Sequence, residues 1–173
     1  LCGSRFILVD PLDGTREFIK KRPEFTINIG LVEAGRPVFG VVYTPASGQL
    51  FATLATGEAA ETHLPLDAPA ADPATLSWTP LRTRRPDPGA LVAVESYSHR
   101  SPETGDVLAR LGASEVRRAG SSLKFCLIAR GEIDVYPRIG PTCEWDTAAA
   151  HAVLSAAGGS VRTLDGRELA YGK

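Results

Sequence analysis

The chain has 173 residues, 43% of them hydrophobic and 23% charged, and a formal net charge of −1. That length is enough for one good-sized core or two small lobes sharing a cleft, and the composition is ordinary for a globular protein. The near-neutral balance provides no broad basic field, which excludes nucleic-acid binding by general electrostatics; small anions have to be held locally.

In chain order, the apolar run Phe6-Ile7-Leu8-Val9 predicts a strand ending at Val9, with Asp10 at its carboxyl edge. Pro11 cannot donate to a sheet ladder and turns the chain out. Asp13 and Gly14 then open a helix over residues 15–22, stopped by Pro23. Residues 25–32, 37–43 and 50–56 are β-rich runs separated by the turn chemistry of Glu33-Ala34-Gly35-Arg36 and Pro45-Ala46-Ser47-Gly48, which predicts an antiparallel meander. Residues 58–88, rich in Ala, Pro, Asp and Thr, read as a surface excursion and a lobe boundary. Beyond it, strands at 91–94, 116–119, 133–136 and 161–164 alternate with helices at 102–111, 122–129 and 146–157, which implies a layered α/β lobe. The predicted organisation is residues 1–88 as one lobe on an antiparallel sheet and residues 89–173 as an α/β lobe.

Chemistry concentrates at Asp10-Pro11-Leu12-Asp13-Gly14-Thr15, where two carboxylates, a constrained turn and a helix start fall within one hexapeptide. The first N–H groups of a helix have no internal partner and suit a phosphate. Asp-Gly is also a common turn and Asp a favoured N-cap, so spacing alone leaves local capping open. A distant segment adds a third carboxylate: Glu144-Trp145-Asp146-Thr147-Ala148-Ala149-Ala150, followed by Ala156-Ala157-Gly158-Gly159, predicts an Ala-rich helix with Asp146 near its start.

Together these segments resemble the lithium-sensitive, magnesium-dependent phosphatase superfamily that includes the inositol monophosphatases. Residues 10–15 match its DPxDGT motif in full, and Trp145-Asp146-Thr147-Ala148-Ala149 through Ala157-Gly158-Gly159 matches its WDxAA…AGG motif. Arg16-Glu17-Phe18, Glu24-Phe25-Thr26-Ile27-Asn28-Ile29, Gly120-Ser121-Ser122-Leu123-Lys124-Phe125-Cys126 and Tyr136-Pro137-Arg138 are most similar to the 3'(2'),5'-bisphosphate nucleotidase branch. The inositol branch usually reads Thr-Asn-Phe where this chain has Arg16-Glu17-Phe18. The resemblance implies an α-β-α-β-α sandwich with its site between the lobes, residues 1–88 being the remainder of an N-terminal metal-binding lobe and residues 89–173 a lobe for substrate selection that also supplies Asp146. The chain starts at Leu1, has no methionine, and lacks the upstream helical segment with a water-positioning Asp and a Glu-Glu metal pair that family members carry, so it reads as a fragment with the first helical layer largely missing. Its end, by the same resemblance, reads as stopping short of the family's last strand.

What the resemblance implies for the site follows residue by residue. Asp10, Asp13 and Asp146, with the Leu12 carbonyl, hold two or three magnesium ions, a hard cation suited to oxygen donors. Asp10 bridges, Leu12 completes the first ion's set, and Asp13 and Asp146 hold the second. Two such ions roughly 3.5–4 Å apart activate water for in-line displacement. Gly14 and Thr15 contact the scissile phosphate through N–H groups, and the Thr15 hydroxyl orients the nucleophilic water. Leu12, Asp13 and Asp146 also face the substrate. Ser121, Ser122, Lys124 and Arg138 are the candidates for gripping ribose or a second phosphate, against a plain reading of a Ser-capped helix and solvated cations. The implied activity is removal of the 3'-phosphate of adenosine 3',5'-bisphosphate, with inositol or another sugar phosphate, or a non-catalytic metal- or nucleotide-binding remnant, as alternatives.

Other residues read more plainly. Cys2, Cys126 and Cys143 are odd in number and lack zinc-site spacing, so they are expected as reduced thiols, with Cys126 packed in the core. Trp145 either stacks on a base or packs beneath the helix start. His99 and His151 read as satisfied or exposed rather than as ligands, and Arg82, Arg84 and Arg85 as a solvated run. With no signal peptide and no apolar span near 20 residues, the cytoplasm is the default, with peripheral inner-membrane association left open.

Overall fold

A computed structural model describes residues 3–98 and 101–173; Leu1, Cys2, His99 and Arg100 lie outside them. Six strands form one antiparallel sheet in sequence order: β1 (Arg5–Asp13), β2 (Thr26–Glu33), β3 (Arg36–Thr44), β4 (Gln49–Thr53), β5 (Ala59–His63) and β6 (Thr79–Pro80). The expected meander is present and extends further than the sequence predicts. β5 and β6 come from the stretch read as a surface excursion, because Ala59 and Ala60 are buried against the core while Glu61 and Thr62 stay half-buried. The expected strand end at Val9 is also overrun. β1 continues to Asp13 with a register break between Asp10 and Asp13, and Pro11 is tolerated because β1 is an edge strand. Helix α1 is correspondingly short, Thr15–Ile19 rather than 15–22, since Lys21 takes a positive φ of 54°.

In the second half, β7 (Val92–Ser96) and β8 (Glu115–Ala119) pair in parallel, joined through helix α2 (Pro102–Arg110), whose Ser101 cap accepts the Thr104 N–H. The strand predicted at 133–136 reduces to a single bridge from Val135 to Ala93, and that predicted at 161–164 to one between Arg162 and Glu168. Helices α3 (Leu123–Ala129) and α4 (Glu144–Ala156) lie between the two sheets, α4 packing across β1 to β5. The mixed α/β architecture expected from the sequence is thus present as sheet, helix pair and small sheet.

Close approach of α4 to the large sheet depends on two glycines. Gly30 and Gly40 are register partners on β2 and β3, and a Cβ built at Gly40 would fall 2.0 Å from the Ala149 carbonyl oxygen. Helix backbone therefore rests directly on sheet backbone, with Ala148, Ala149 and Ala150 as its buried face. The main core gathers Val42, Phe51 and Leu81 from the sheet side with Phe125, Cys126, Val153 and Leu154 from the helices. Burial pushes the Cys126 thiol well above its ordinary range, as suits a packed, unreactive cysteine. Arg130, at the end of α3, ties back to Glu61 on β5. Arg84, expected as solvated, makes paired 2.7 Å contacts to Asp134, whose carboxylate also accepts the Val92 N–H.

Candidate active site

The overrun of β1 and the start of α4 meet at one end of the large sheet. The β1 irregularity turns Asp10 and Asp13 in the same direction, and α4, seated by its alanines, brings Asp146 to face them. Ligand oxygens of Asp10, Asp13 and Asp146 all lie within 4.8 Å of one another. They line a cavity of about 410 Å³ together with Leu12, Gly14, Thr15, Ser121, Lys124 and Arg138. Ser122 lines it too, so the residues named from sequence for metal and substrate share one cavity, from segments more than a hundred positions apart.

Each carboxylate is individually fixed. Asp10 Oδ1 accepts the Leu12 N–H at 2.9 Å, which folds the Pro11 turn back on itself. Asp146 Oδ2 accepts the Thr142 hydroxyl at 2.9 Å and the Cys143 N–H at 3.1 Å. Asp13 Oδ2 accepts the Ser122 N–H at 2.6 Å and lies 3.4 Å from both Thr26 Oγ1 and Asn28 Nδ2. Burial raises Asp13 to about 6; Lys124 and the Ser122 N–H oppose the rise, and Asp10 and Asp146 add to it. Asp10 is raised by burial and, more weakly, by Asp146. Three crowded, part-buried carboxylates, with Asp10 and Asp13 held back from ionisation, are a donor set lacking positive charge, and their hard oxygens suit magnesium. The residues present therefore fit the metal that the family resemblance implies.

The cationic side of the cavity is equally constrained. Lys124 is only 3% exposed, its ammonium donating to the Ser121 carbonyl and lying 5.0 Å from the Tyr136 ring centre. Burial lowers it to about 8, against the pull of Asp13. Ser121 adopts a positive φ of 50°, the left-handed conformation that turns its carbonyl toward Lys124. Arg138 donates to the Pro141 carbonyl at 3.0 Å, while its buried Nε has no protein partner. Thr15 Oγ1 donates to the Leu12 carbonyl at 3.2 Å.

Ser122, expected as a substrate contact, lines the same cavity, and its hydroxyl is engaged by neighbouring side chains. It is 2% exposed, and its hydroxyl donates to Asn28 Oδ1 at 2.7 Å and lies 2.9 Å from Thr26 Oγ1. The side chain is committed to β2, and what Ser122 gives the site is its N–H on Asp13. Residues that sequence reasoning did not assign also line the cavity: Arg16, Glu17, Ser98, Tyr136, Thr142 and Thr147. Arg16 reaches the Ser98 carbonyl at 3.2 Å and Glu17 accepts the Ser98 hydroxyl at 2.5 Å, so the distinguishing Arg16-Glu17 pair clamps α1 to the segment after β7. The signal for them was the tripeptide itself; Thr142 had none. Trp145 lines the rim and is 48% exposed. His151 is no ligand: its Nδ1 lies 3.0 Å from the Tyr171 hydroxyl inside the core. His99 and Cys2 fall outside the described residues.

Comparison with known proteins accords with this geometry. The model of the inositol monophosphatase family matches residues 2–173. The chain is 42% identical over 167 residues to the 3'(2'),5'-bisphosphate nucleotidase CysQ of Escherichia coli, covering 96% of this chain and 62% of that protein. It is 43% identical to CysQ of Salmonella typhimurium over the same shares. Among solved structures, CysQ from Bacteroides thetaiotaomicron superposes with a TM-score of 0.83 at 38% identity, over 97% of this chain and 65% of that one. An inositol monophosphatase from Anabaena superposes with a TM-score of 0.76 at 27% identity, over 96% and 63%. The chain thus spans a little under two thirds of the length of these relatives.

Proposed function

The chain belongs to the inositol monophosphatase family, and we propose that its protein is a magnesium-dependent phosphatase of the bisphosphate nucleotidase type, removing the 3'-phosphate of adenosine 3',5'-bisphosphate. The observation that carries this reading is the facing of three mutually close carboxylates by Lys124 and Arg138 across one cavity. Asp10, Asp13, Asp146 and the Leu12 carbonyl are the groups that would hold magnesium, which when bound supplies charge to the scissile phosphate and a water of lowered pKa. The Thr15 hydroxyl donates a hydrogen bond to the Leu12 carbonyl, which leaves its oxygen lone pairs to orient an attacking water. Gly14 and Thr15 offer backbone N–H groups at the start of α1 to the phosphate.

Substrate choice follows from charge. A nucleoside bisphosphate brings a second phosphate, which Lys124 and Arg138 can neutralise, whereas an inositol monophosphate has nothing for them to hold. The half-exposed ring of Trp145 at the rim offers a face to a base. Identity to the CysQ proteins supports the nucleotide over the inositol ester. We place the protein in the cytoplasm; no helix among the described residues is long and apolar enough to cross a membrane.

The test compares kcat/KM on adenosine 3',5'-bisphosphate and inositol 1-phosphate for the full-length protein and its Lys124→Ala variant. The nucleotide is preferred by the wild type, and the variant loses about tenfold to a hundredfold on it, about 1.5–3 kcal/mol for one desolvated charged contact, with a smaller loss on the inositol ester. Equal losses on both substrates make Lys124 structural, and a wild-type preference for the inositol ester moves the protein to that branch.

A further inference from the structure

All three hydrogen bonds that the Asp13 carboxylate accepts among the described residues fall on Oδ2, from the Ser122 N–H, Thr26 and Asn28. Two of these donors, Thr26 and Asn28, stand on β2; the third comes from the turn before α3 in the other half of the chain. The three are also in contact with one another, the single Thr26 hydroxyl proton being shared between Asp13 Oδ2 at 3.4 Å and Ser122 Oγ at 2.9 Å. The Ser122 hydroxyl donates to Asn28 Oδ1, which fixes the amide so that its Nδ2 points at Asp13, and Thr26 Oγ1 lies 2.9 Å from Ser122 Oγ. Reversing the amide would set its oxygen against the Asp13 carboxylate, two acceptors facing each other with no proton between them. Thr26, Asn28 and Ser122 are 0%, 1% and 2% exposed, so none of these bonds can be exchanged for water at low cost.

We propose that Thr26, Asn28 and Ser122 are positioning residues: a buried clasp between the two halves of the chain that locks Asp13 through Oδ2 and presents Oδ1 to the cation. The inference rests on the reading of Asp13 as a metal ligand. Such outer hydrogen bonds set both the rotamer and the basicity of a ligating carboxylate. They also make metal affinity depend on the contact between β2 and the turn at residues 120–122. Gly120 permits that contact, since a Cβ there would meet the Glu24 carbonyl oxygen at 2.5 Å.

The experiment is a titration of the full-length protein with Mn²⁺ alone, the free ion being followed by its electron paramagnetic resonance signal, with urea unfolding run in parallel. Thr26→Val weakens Mn²⁺ binding about tenfold to a hundredfold, and Thr26→Ser, which keeps the hydroxyl, restores it to within about threefold of wild type. Ser122→Ala, which frees the Asn28 amide, weakens it in the same direction and is decisive where Thr26→Val does not fold. Asp13→Asn separates the two levels of the reading. Loss of binding in Asp13→Asn with wild-type affinity in folded Thr26→Val and Ser122→Ala overturns the clasp and leaves the metal site standing. Wild-type affinity in Asp13→Asn overturns the metal assignment itself.

Discussion

At Asp10 the charge that would bind a cation also meets that of its neighbours. Its pKa is raised by burial and by Asp146 despite the Leu12 N–H. Asp10→Asn removes that charge while keeping an oxygen for the Leu12 N–H, so magnesium-dependent phosphate release by the full-length variant falls to background with urea stability unchanged or higher. Retained turnover would remove Asp10 from the site. His151 makes a second test at this scale, away from the metal ligands. Burial lowers it to about 4, with Glu168 opposing the shift. An unfolded chain therefore binds the proton that the folded one refuses between about 4 and the ordinary 6.5. The stability tied to neutral His151 is complete above 6.5 and is lost as the pH falls toward 4, by up to about 3 kcal/mol. Urea midpoints of His151→Gln fall less steeply over that window than those of wild type; parallel curves would show that the buried imidazole is not what titrates. Asp10, Asp13 and Asp146 were legible because their motifs are compact. The bonds of Ser122 to β2 were not legible, because a hydroxyl at a helix start looks the same in sequence whether it faces a ligand or a neighbouring strand.

At the level of elements, sequence periodicity found the antiparallel meander, α2, α3 and α4, and it missed what depends on contact rather than pattern. β5 and β6 lie in a run too rich in Ala and Pro to alternate cleanly, and they pair because the sheet edge offered by β4 is there to receive them. The runs at 133–136 and 161–164 had the right composition and lack a full partner strand among the described residues, so each forms a single bridge. The Gly30 and Gly40 pair was equally silent, since only the register of β2 and β3 and the seat of α4 reveal why neither tolerates a side chain. Gly40→Ala forces α4 away from the sheet or breaks the pairing, costing about 3 kcal/mol, and because α4 carries Asp146 it also weakens magnesium dependence. Gly57→Ala serves as a comparison: nothing lies within 4 Å of its added Cβ, and its cost comes from its φ of 80° alone. Urea unfolding of both variants checks the order; an equal loss at the two sites would show that α4 has room to move.

Across the whole molecule, the large sheet has one face buried under α4 and the other largely bare. Ile7 pairs with Leu31 and Val9 with Ile29, while Leu31 pairs with Phe39 across β2 and β3, so these side chains form one apolar strip. Ile7 is 64% exposed, Val9 52%, Ile29 40% and Phe39 39%. No helix among the described residues covers that strip, and a contiguous apolar patch of this kind on a free surface drives association. A protein of residues 1–173 alone therefore binds a hydrophobic dye and sediments as a mixture that shifts to larger species as concentration rises. Val9→Lys with Ile29→Lys places two like charges on neighbouring register partners in the centre of the strip, which reduces dye binding severalfold and shifts sedimentation toward the monomer. The same pair of substitutions in a full-length protein distinguishes a bare strip from a covered one: where further chain buries the strip, two desolvated lysines lower the urea midpoint sharply, and where the strip is solvent-exposed the midpoint barely moves. Monomeric, dye-negative behaviour of residues 1–173 would mean that the strip is too small or too curved to act as a patch, and that the sheet's alternation has been read on the wrong face.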